Sequence, residues 1–493
     1  MIYNFNLGIG WASSGVEYAQ IYRARMFRNI GVDAKFVFTD MFPSENMEHM
    51  TKNIGFLDSE VIWLYTFFTD FKTAPVTYTL SDLEKTFTDL NYTKTREGKI
   101  CRYVFGGSNN FYTAYMVNDH DDFVHRVEMV SNGFLIRKDY FTYGRVYSEY
   151  YAPLDNKAHL YHRRFFNENG SVAYEEIIDD DRVMYKFKDK ILCSKEEFVG
   201  YMVSQLNLTS DDVVLIDRST DIGQSIIMNC KPARVGTVVH ADHFSEKDTN
   251  EDYILWNNFY EYEFNMHKHI DFYICSTQAQ SDLMVQQFEK YYGVTPCVYT
   301  IPVGSLPELK YPKENRKPFS LITASRLASE KHVDWICKAV IQARSEVPEL
   351  SLDIYGVGGE REKLETIIRD NNASSYIHLM GQHDLSEVYQ NYEAYIAGST
   401  SEGFGLTLME AVGGGLPIIG FDVRYGNPTF IRNGENGYLI DLPEEDKDRI
   451  EALRKGIVDL FKQDLEKCHS VSYEVAKDFL TSNVQEKWRE AVC

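Results

Sequence analysis

Between residues 319 and 463 short β-branched or aromatic runs alternate with helix-length amphipathic stretches, and that alternation limits the fold more than anything else in the chain. The runs Phe319–Ala324, Leu352–Tyr355, Tyr376–Leu379, Ala394–Ala397, Ile418–Phe421 and Tyr438–Ile440 read as strands. Helical patterns near 333–345, 360–371, 384–391, 406–414 and 448–463 separate them. Strands that each lead into a helix build βαβ units, and hence a parallel sheet covered on both faces. In such sheets ligands bind beyond the carboxyl ends of the strands.

A second α/β unit is split in sequence. It opens with a strand at Tyr3–Leu7, a glycine-rich turn and a helix from about Val16 to Asn29. It resumes with strands at Val213–Ile216, Thr237–His240, Phe272–Cys275 and Val298–Pro302, and a helix over 277–292. Pro302 and Pro307–Pro318 mark a hinge, and a last helix near 472–490 is expected to fold back across it.

From about 75 to 200 the texture changes. Tyr and Phe are dense, and turn clusters recur at Gly106-Gly107-Ser108-Asn109, Asn118-Asp119, Ser131-Asn132-Gly133, Asp155-Asn156, Asn167–Gly170 and Asp179–Asp181. This spacing suits an antiparallel meander of hairpins. The expected class is α/β, with two Rossmann-like lobes facing a cleft and a β-meander inserted in the N-terminal lobe. The domains are then 1–45 with 205–305, the insertion 46–204 that recognises acceptor or partner, 306–471, and a C-terminal helix 472–493.

Composition excludes several classes. Of 493 residues 44% are hydrophobic and 25% charged, the balance of a folded protein. Lys+Arg 51 against Asp+Glu 73 leaves a net charge of −22, which repels nucleic acid and anionic lipid at long range. The eight cysteines include no CxxC pair, so free thiols in a reducing compartment are expected. The first residues do not read as a signal peptide, and no apolar run is long enough to span a bilayer. The expected location is cytoplasmic.

The chemistry gathers at strand ends. Ser401–Glu410 places Glu402 and Glu410 eight residues apart, the first in a turn after a strand and the second in the following helix. Gly403 and Gly405 let the backbone approach a ligand, and a helix start offers amides to a diphosphate. A carboxylate there can accept from sugar or ribose hydroxyls. Arg326 and Lys331 follow the first strand of the same sheet and suit the charge of a leaving phosphate.

Gly356-Val357-Gly358-Gly359 reads as a third backbone cradle on this edge. Gly8–Gly15 reads as another loop after a strand, without the spacing of a dinucleotide fingerprint. His240 ends a strand and can meet a sugar by its ring or its carbonyl. His240-Ala-Asp-His243 lacks a converging third ligand, and Asp179–Asp181 reads as a solvated turn, so no metal is expected.

Through these motifs the chain resembles the retaining GT-B glycosyltransferases. More closely, through Asn6–Gln20, Asn250–Asn258, Phe319–Arg326 and the β insertion, it resembles the GtfA family, the catalytic subunits of the accessory Sec system. The resemblance covers essentially the whole chain. It implies O-glycosylation of Ser/Thr in serine-rich repeat adhesins from UDP-N-acetylglucosamine, with UDP-glucose left open as donor, and a complex with a non-catalytic GtfB-like subunit. It allows peripheral association with the inner face of the cell membrane through that complex.

Carried over by motif, Gly15, Val16, Glu17 and Tyr18 contact UDP, and Gln382 and His383 sit against the uracil. His240, Glu402, Gly403, Phe404 and Gly405 hold the donor sugar, and Glu410 holds the ribose. Arg326, Lys331, Glu402 and Glu410 form the catalytic set, with no cofactor beyond the UDP-sugar and no metal. A teichoic acid glycosyltransferase and a non-catalytic binding subunit are the competing readings; intact Arg326, Lys331, Glu402 and Glu410 weigh against the second.

Overall fold

The computed structural model describes residues 1–9, 15–42, 45–87, 90–107 and 109–493. Two compact units emerge, one of Met1–Ala24, Val32–Thr237 and Asn258–Asp271, the other of Arg25–Gly31, Val238–Asn257 and Phe272–Cys493.

In the first unit Ile2–Asn6 lies between Val213–Ile216 and Ala34–Phe38, all parallel. Arg234–Val239 pairs with Val213–Ile216 on one side, and Val61–Trp63 extends the sheet past Ala34–Phe38 on the other. Every residue of Val213–Ile216 is buried, as both faces of a parallel strand should be. Val61–Trp63, expected inside the insertion, is therefore an edge strand of the parallel sheet. Three residues are too few to show a period, and the Trp63 indole instead donates to Asp40 O at 2.8 Å.

The insertion is a ten-stranded antiparallel sheet in which each strand from Tyr92–Glu97 to Ile191–Leu192 pairs with the next in sequence. All six turn clusters read from the sequence fall at hairpin joints, although Ser108 lies outside the described residues. Asn132, Asp155, Asn156 and Asp180 adopt the left-handed backbone that tight hairpin turns require. The helix Lys195–Gln205, capped by Ser194, drives Phe198 into the sheet's aromatic face. There Phe198 stacks on Tyr185 at 4.1 Å, and Phe165 stacks on Tyr174 at 4.5 Å. Such ring pairs stabilise by roughly 0.5–1.5 kcal/mol each beyond their buried area.

The second unit holds a six-stranded parallel sheet in the order Ile377–Gly381, Ser351–Tyr355, Ser320–Ala324, Ala394–Ile396, Ile418–Phe421, Gly437–Ile440. Chain order reverses between Ser320–Ala324 and Ala394–Ile396. A crevice opens beyond the strands at such a switch point. The loops leaving those two strands are the ones that carry Lys331 and Glu402.

Two helices differ from expectation. The stretch 384–391 keeps only a 3₁₀ turn at Tyr389–Asn391. Asp384 accepts the Ser386 amide in a local turn, and Tyr389 and Gln390 are drawn into the core. The final helix expected at 472–490 is two helices, Leu465–Lys477 and Thr481–Val492. Between them Phe479 packs on Phe430 at 4.8 Å. The Leu306 amide donates to Phe479 O, and the Thr481 amide donates to Leu306 O, both at 2.8 Å, so the chain leaves the helix to pair there. In the same unit Trp488 meets Phe27 edge-on at 5.3 Å. Among the described residues no helix is long and apolar enough to cross a membrane.

Candidate active site

The cationic loop after Ser320–Ala324 is held rather than loose. The Ser325 amide donates to Tyr355 O at 3.1 Å, and the Leu327 amide donates to Val357 O at 3.0 Å. That pairing explains Gly356: its φ is +133°, and a Cβ would fall 1.9 Å from Ser325 O. The glycine run at 356–359, read as a ligand cradle, thus supports the loop that carries Arg326 and Lys331. On the other flank Gly398 abuts the turn, since a Cβ there would lie 2.8 Å from His332 O and 3.0 Å from Lys331 O.

Lys331 Nζ lies 2.7 Å from Glu402 Oε2, and the two side chains are only 19% and 22% exposed. Arg326, expected beside it, is 79% exposed and pairs with Glu330 at 3.2 Å. An exposed pair of this kind contributes about 0.2–1 kcal/mol, so the guanidinium can exchange it for phosphate at little cost.

The turn bearing Glu402 is fixed through its backbone. Tyr425 and Gly426 donate their amides to Glu402 O at 2.6 and 2.7 Å, and the Glu402 amide donates to Arg424 O at 3.2 Å. Gly405, in the left-handed region at φ +87°, turns the chain into the helix Leu406–Gly413. Amides of the first turn of a helix have no intrahelical acceptor and carry its positive dipole end. Phe404 is buried against Phe430 at 5.3 Å, so at this position the backbone rather than the ring can reach a ligand. A Cβ on Gly403 would lie 3.9 Å from His240 O, which brings the His240 carbonyl over the turn.

Glu410 accepts from Tyr389 Oη at 3.0 Å, and burial raises its carboxyl above the ordinary range. Tyr395 donates to Ala324 O at 2.9 Å and meets Thr407 Oγ1 at 3.0 Å, which joins the end of the first strand to the helix start.

The loop after His240 is braced inside the same unit. Gln280 donates to Ala241 O at 2.8 Å and Asn257 donates to Asp242 O at 2.9 Å. His243 is fully buried with Nε2 2.7 Å from Gln287 Oε1, and burial lowers its pKa to about 4. The His-Ala-Asp-His pattern therefore divides between packing and bracing. Asp179–Asp181 is an exposed hairpin turn. Gln382 and His383 are exposed just past Ile377–Gly381, and His383 Nε2 donates to Met380 O at 2.8 Å.

In the first unit Gly15 begins the helix Gly15–Ile30, while Gly10–Ser14 lie outside the described residues. Tyr18 is exposed, but Val16 and Glu17 are buried and Glu17 pairs with Arg218 at 3.5 Å. The helix rests on a buried polar chain that sequence reasoning missed. Arg23 clasps Asp217 at 2.6 and 2.9 Å, Gln20 donates to Asp217 at 2.8 Å, and Asn6 donates to Gln20 at 3.1 Å. Tyr389, Tyr395, Tyr425 and Gly398 were missed as well. Nothing in their spacing separates them from ordinary core residues.

A model for "GtfA extended beta-sheet domain" matches residues 93–189, and one for "Glycosyl transferases group 1" matches 308–478. The chain is 52% identical, over 99% of its length and 97% of the relative's, to the "UDP-N-acetylglucosamine--peptide N-acetylglucosaminyltransferase GtfA subunit" of Streptococcus agalactiae. It superposes with a TM-score of 0.96 at 52% identity on the crystal structure of a GtfA/B complex, covering 100% of this chain and 99% of that one. On the pneumococcal O-GlcNAc transferase GtfA in complex with UDP and GlcNAc the TM-score is 0.85 at 49% identity, with 100% and 98% covered. With both lobes and the extended sheet matched along its full length, the chain belongs to the GtfA family of peptide N-acetylglucosaminyltransferase subunits, glycosyltransferases of group 1 with the GT-B fold.

Proposed function

We propose that this protein transfers N-acetylglucosamine, with retention and without a metal ion, from UDP-N-acetylglucosamine onto Ser and Thr hydroxyls of a polypeptide. The observation that carries the reading is the Lys331–Glu402 pair of 2.7 Å at the switch point of the six-stranded sheet, beside a helix start. The choice of donor and of peptide rests on the GtfA relatives, whose name specifies both.

The acceptor oxygen attacks the anomeric carbon on the face that UDP leaves. As the bond from that carbon to the β-phosphate oxygen breaks, its electron pair stays on the phosphate, which also takes the acceptor's proton. No separate protein base is required. An ammonium carries three N–H donors, and Glu402 uses one, so Lys331 keeps two for the phosphate. Arg326 adds a planar fork, and the amides around Gly403–Gly405 add the helix dipole. Glu402 orients the sugar, and the His240 carbonyl faces the positive charge that develops at the anomeric carbon. Gln382 and His383 meet the base. Gly15, Val16, Glu17 and Tyr18 meet UDP, Glu17 by its backbone because its side chain is buried.

The acceptor we assign is a serine-rich adhesin, and the partner a GtfB-like subunit through which the enzyme reaches the inner membrane face. Mixing the protein with UDP-sugars and a Ser/Thr-rich polypeptide, with and without such a subunit and with chelator present, should add N-acetylhexosamine masses to the acceptor. If no UDP-sugar adds mass under any of these conditions, the reading is wrong.

Glu410 makes UDP binding pH-dependent. Burial raises its carboxyl, so it takes up a proton at a higher pH than an exposed glutamate would. The ionised form accepts from the ribose hydroxyls more strongly than the neutral acid does, so UDP affinity should fall as pH drops through that raised value. By calorimetry, Glu410→Gln should weaken UDP about tenfold at pH 7.5, the loss of a charged hydrogen bond of about 1.5 kcal/mol, and flatten the pH profile. A profile unchanged by the substitution would exclude Glu410 from the ribose site.

A further inference from the structure

We infer that Tyr425 is a positioning residue for the transfer, setting the distance between the His240 carbonyl and the turn that carries Glu402. Its backbone amide donates to Glu402 O at 2.6 Å, and its hydroxyl donates to Asp242 Oδ1 at 2.6 Å, two residues beyond His240. One residue therefore ties the loop that follows His240 to the turn of Glu402, where His240 O lies over Gly403.

The ring is 2% exposed and lies 6.0 Å from His243, whose Nδ1 is 3.3 Å from the Tyr425 hydroxyl. Gln287 holds the opposite ring nitrogen of His243, so Nδ1 is an acceptor and the hydroxyl is confined between two acceptors. Arg424 repeats the tie on the surface, with Nη2 3.0 Å from Glu246 and its guanidinium 4.8 Å over the Phe244 ring. Arg424 Nη2 also lies 3.8 Å from Asp242 Oδ2, a longer contact than the 2.6 Å bond of the Tyr425 hydroxyl.

The inference rests on the transferase reading above, since the His240 carbonyl matters only if charge develops at a sugar carbon beside it. Misplacing a stabilising group by a fraction of an ångström acts on the transition state more than on the bound donor. Tyr425→Phe keeps the ring and the backbone contact and removes only the hydroxyl. It should lower kcat about ten- to a hundredfold while KM for the UDP-sugar and the Kd for UDP stay within about twofold. Asp242→Ala removes the acceptor and breaks the same bond from its other end. It should give the same phenotype, and the double variant should be no slower than either single one.

A full-rate Tyr425→Phe would overturn the inference. So would a rate loss accompanied by matching losses of melting temperature and UDP affinity, since that is what a packing role predicts. Failure of the transferase reading is distinguished by the unsubstituted protein, which would then move no sugar at all.

Discussion

Lys331→Ala is expected to slow glycosyl transfer by about 10²–10³-fold, or ~2.7–4 kcal/mol of barrier, the cost of removing one preorganised group from developing negative charge. The substitution acts twice. It removes the point charge proposed to face the leaving diphosphate, and it leaves the Glu402 carboxylate, 2.7 Å away, without its cation. A glutamate so released repels the diphosphate instead of orienting the sugar. Arginine should not rescue it. A planar guanidinium is broader than an ammonium, and the turn is closed from behind by Gly398 and Gly356.

Because both side chains are about one-fifth exposed, the stability cost should fall between the ~1 kcal/mol of a surface pair and the about 3–5 kcal/mol of a fully buried one. Single-turnover kinetics at saturating donor, set beside a melting curve, separate the two effects. Transfer by Lys331→Ala at the unsubstituted rate would mean that the leaving group finds its positive charge elsewhere. Arg326→Ala should show a loss of transfer with even less change in melting temperature, since its side chain is 79% exposed and pairs with the exposed Glu330.

How far the site could be read in advance depends on where each residue's role resides. The placement of Lys331, Glu402 and Glu410 was legible because their setting is local: a strand, a turn and a helix start fall within a dozen residues. The six hairpin joints were legible for the same reason, since Asn, Asp and Gly mark left-handed turns wherever they occur. Arg326 was read into the same site from its strand-end position, but a side chain 79% exposed takes its ligand-free conformation from its neighbour Glu330.

Tyr389, Tyr395 and Tyr425 were hidden because their work is done by hydroxyls that cross from one loop to another, which no spacing reports. Gly356 was visible as a glycine, but the reason for it was not. Its positive φ answers to the backbone of Ser325, more than thirty residues earlier. The break at Phe479 could not be seen from the helical period. The period continues through it, and a tertiary contact with Leu306 competes successfully for its backbone groups.

The same logic explains why the largest stability effect should come from a pair with no motif at all. Asp217→Ala is expected to destabilise the protein by about 3–5 kcal/mol, the cost of stranding a buried charge. Arg23 and Asp217 are 2% and 0% exposed and meet through two bonds of 2.6 and 2.9 Å. Asn4 Oδ1 accepts a further bond from Arg23 at 2.8 Å, and Gln20 and Asn6 continue the chain toward the start of the helix. Without Asp217 the guanidinium loses the carboxylate it bonds twice and cannot shed its proton, so either water enters or the helix moves.

Arg23→Met together with Asp217→Leu should recover part of the loss, because an apolar pair of similar volume carries no charge to desolvate. Urea denaturation followed by tryptophan fluorescence reads both variants. The order expected is unsubstituted protein, then the double variant, then Asp217→Ala. If Asp217→Ala instead unfolds within about 1 kcal/mol of the unsubstituted protein, the pair behaves as a solvated one. The placement of the helix Gly15–Ile30 would then rest on its apolar face alone.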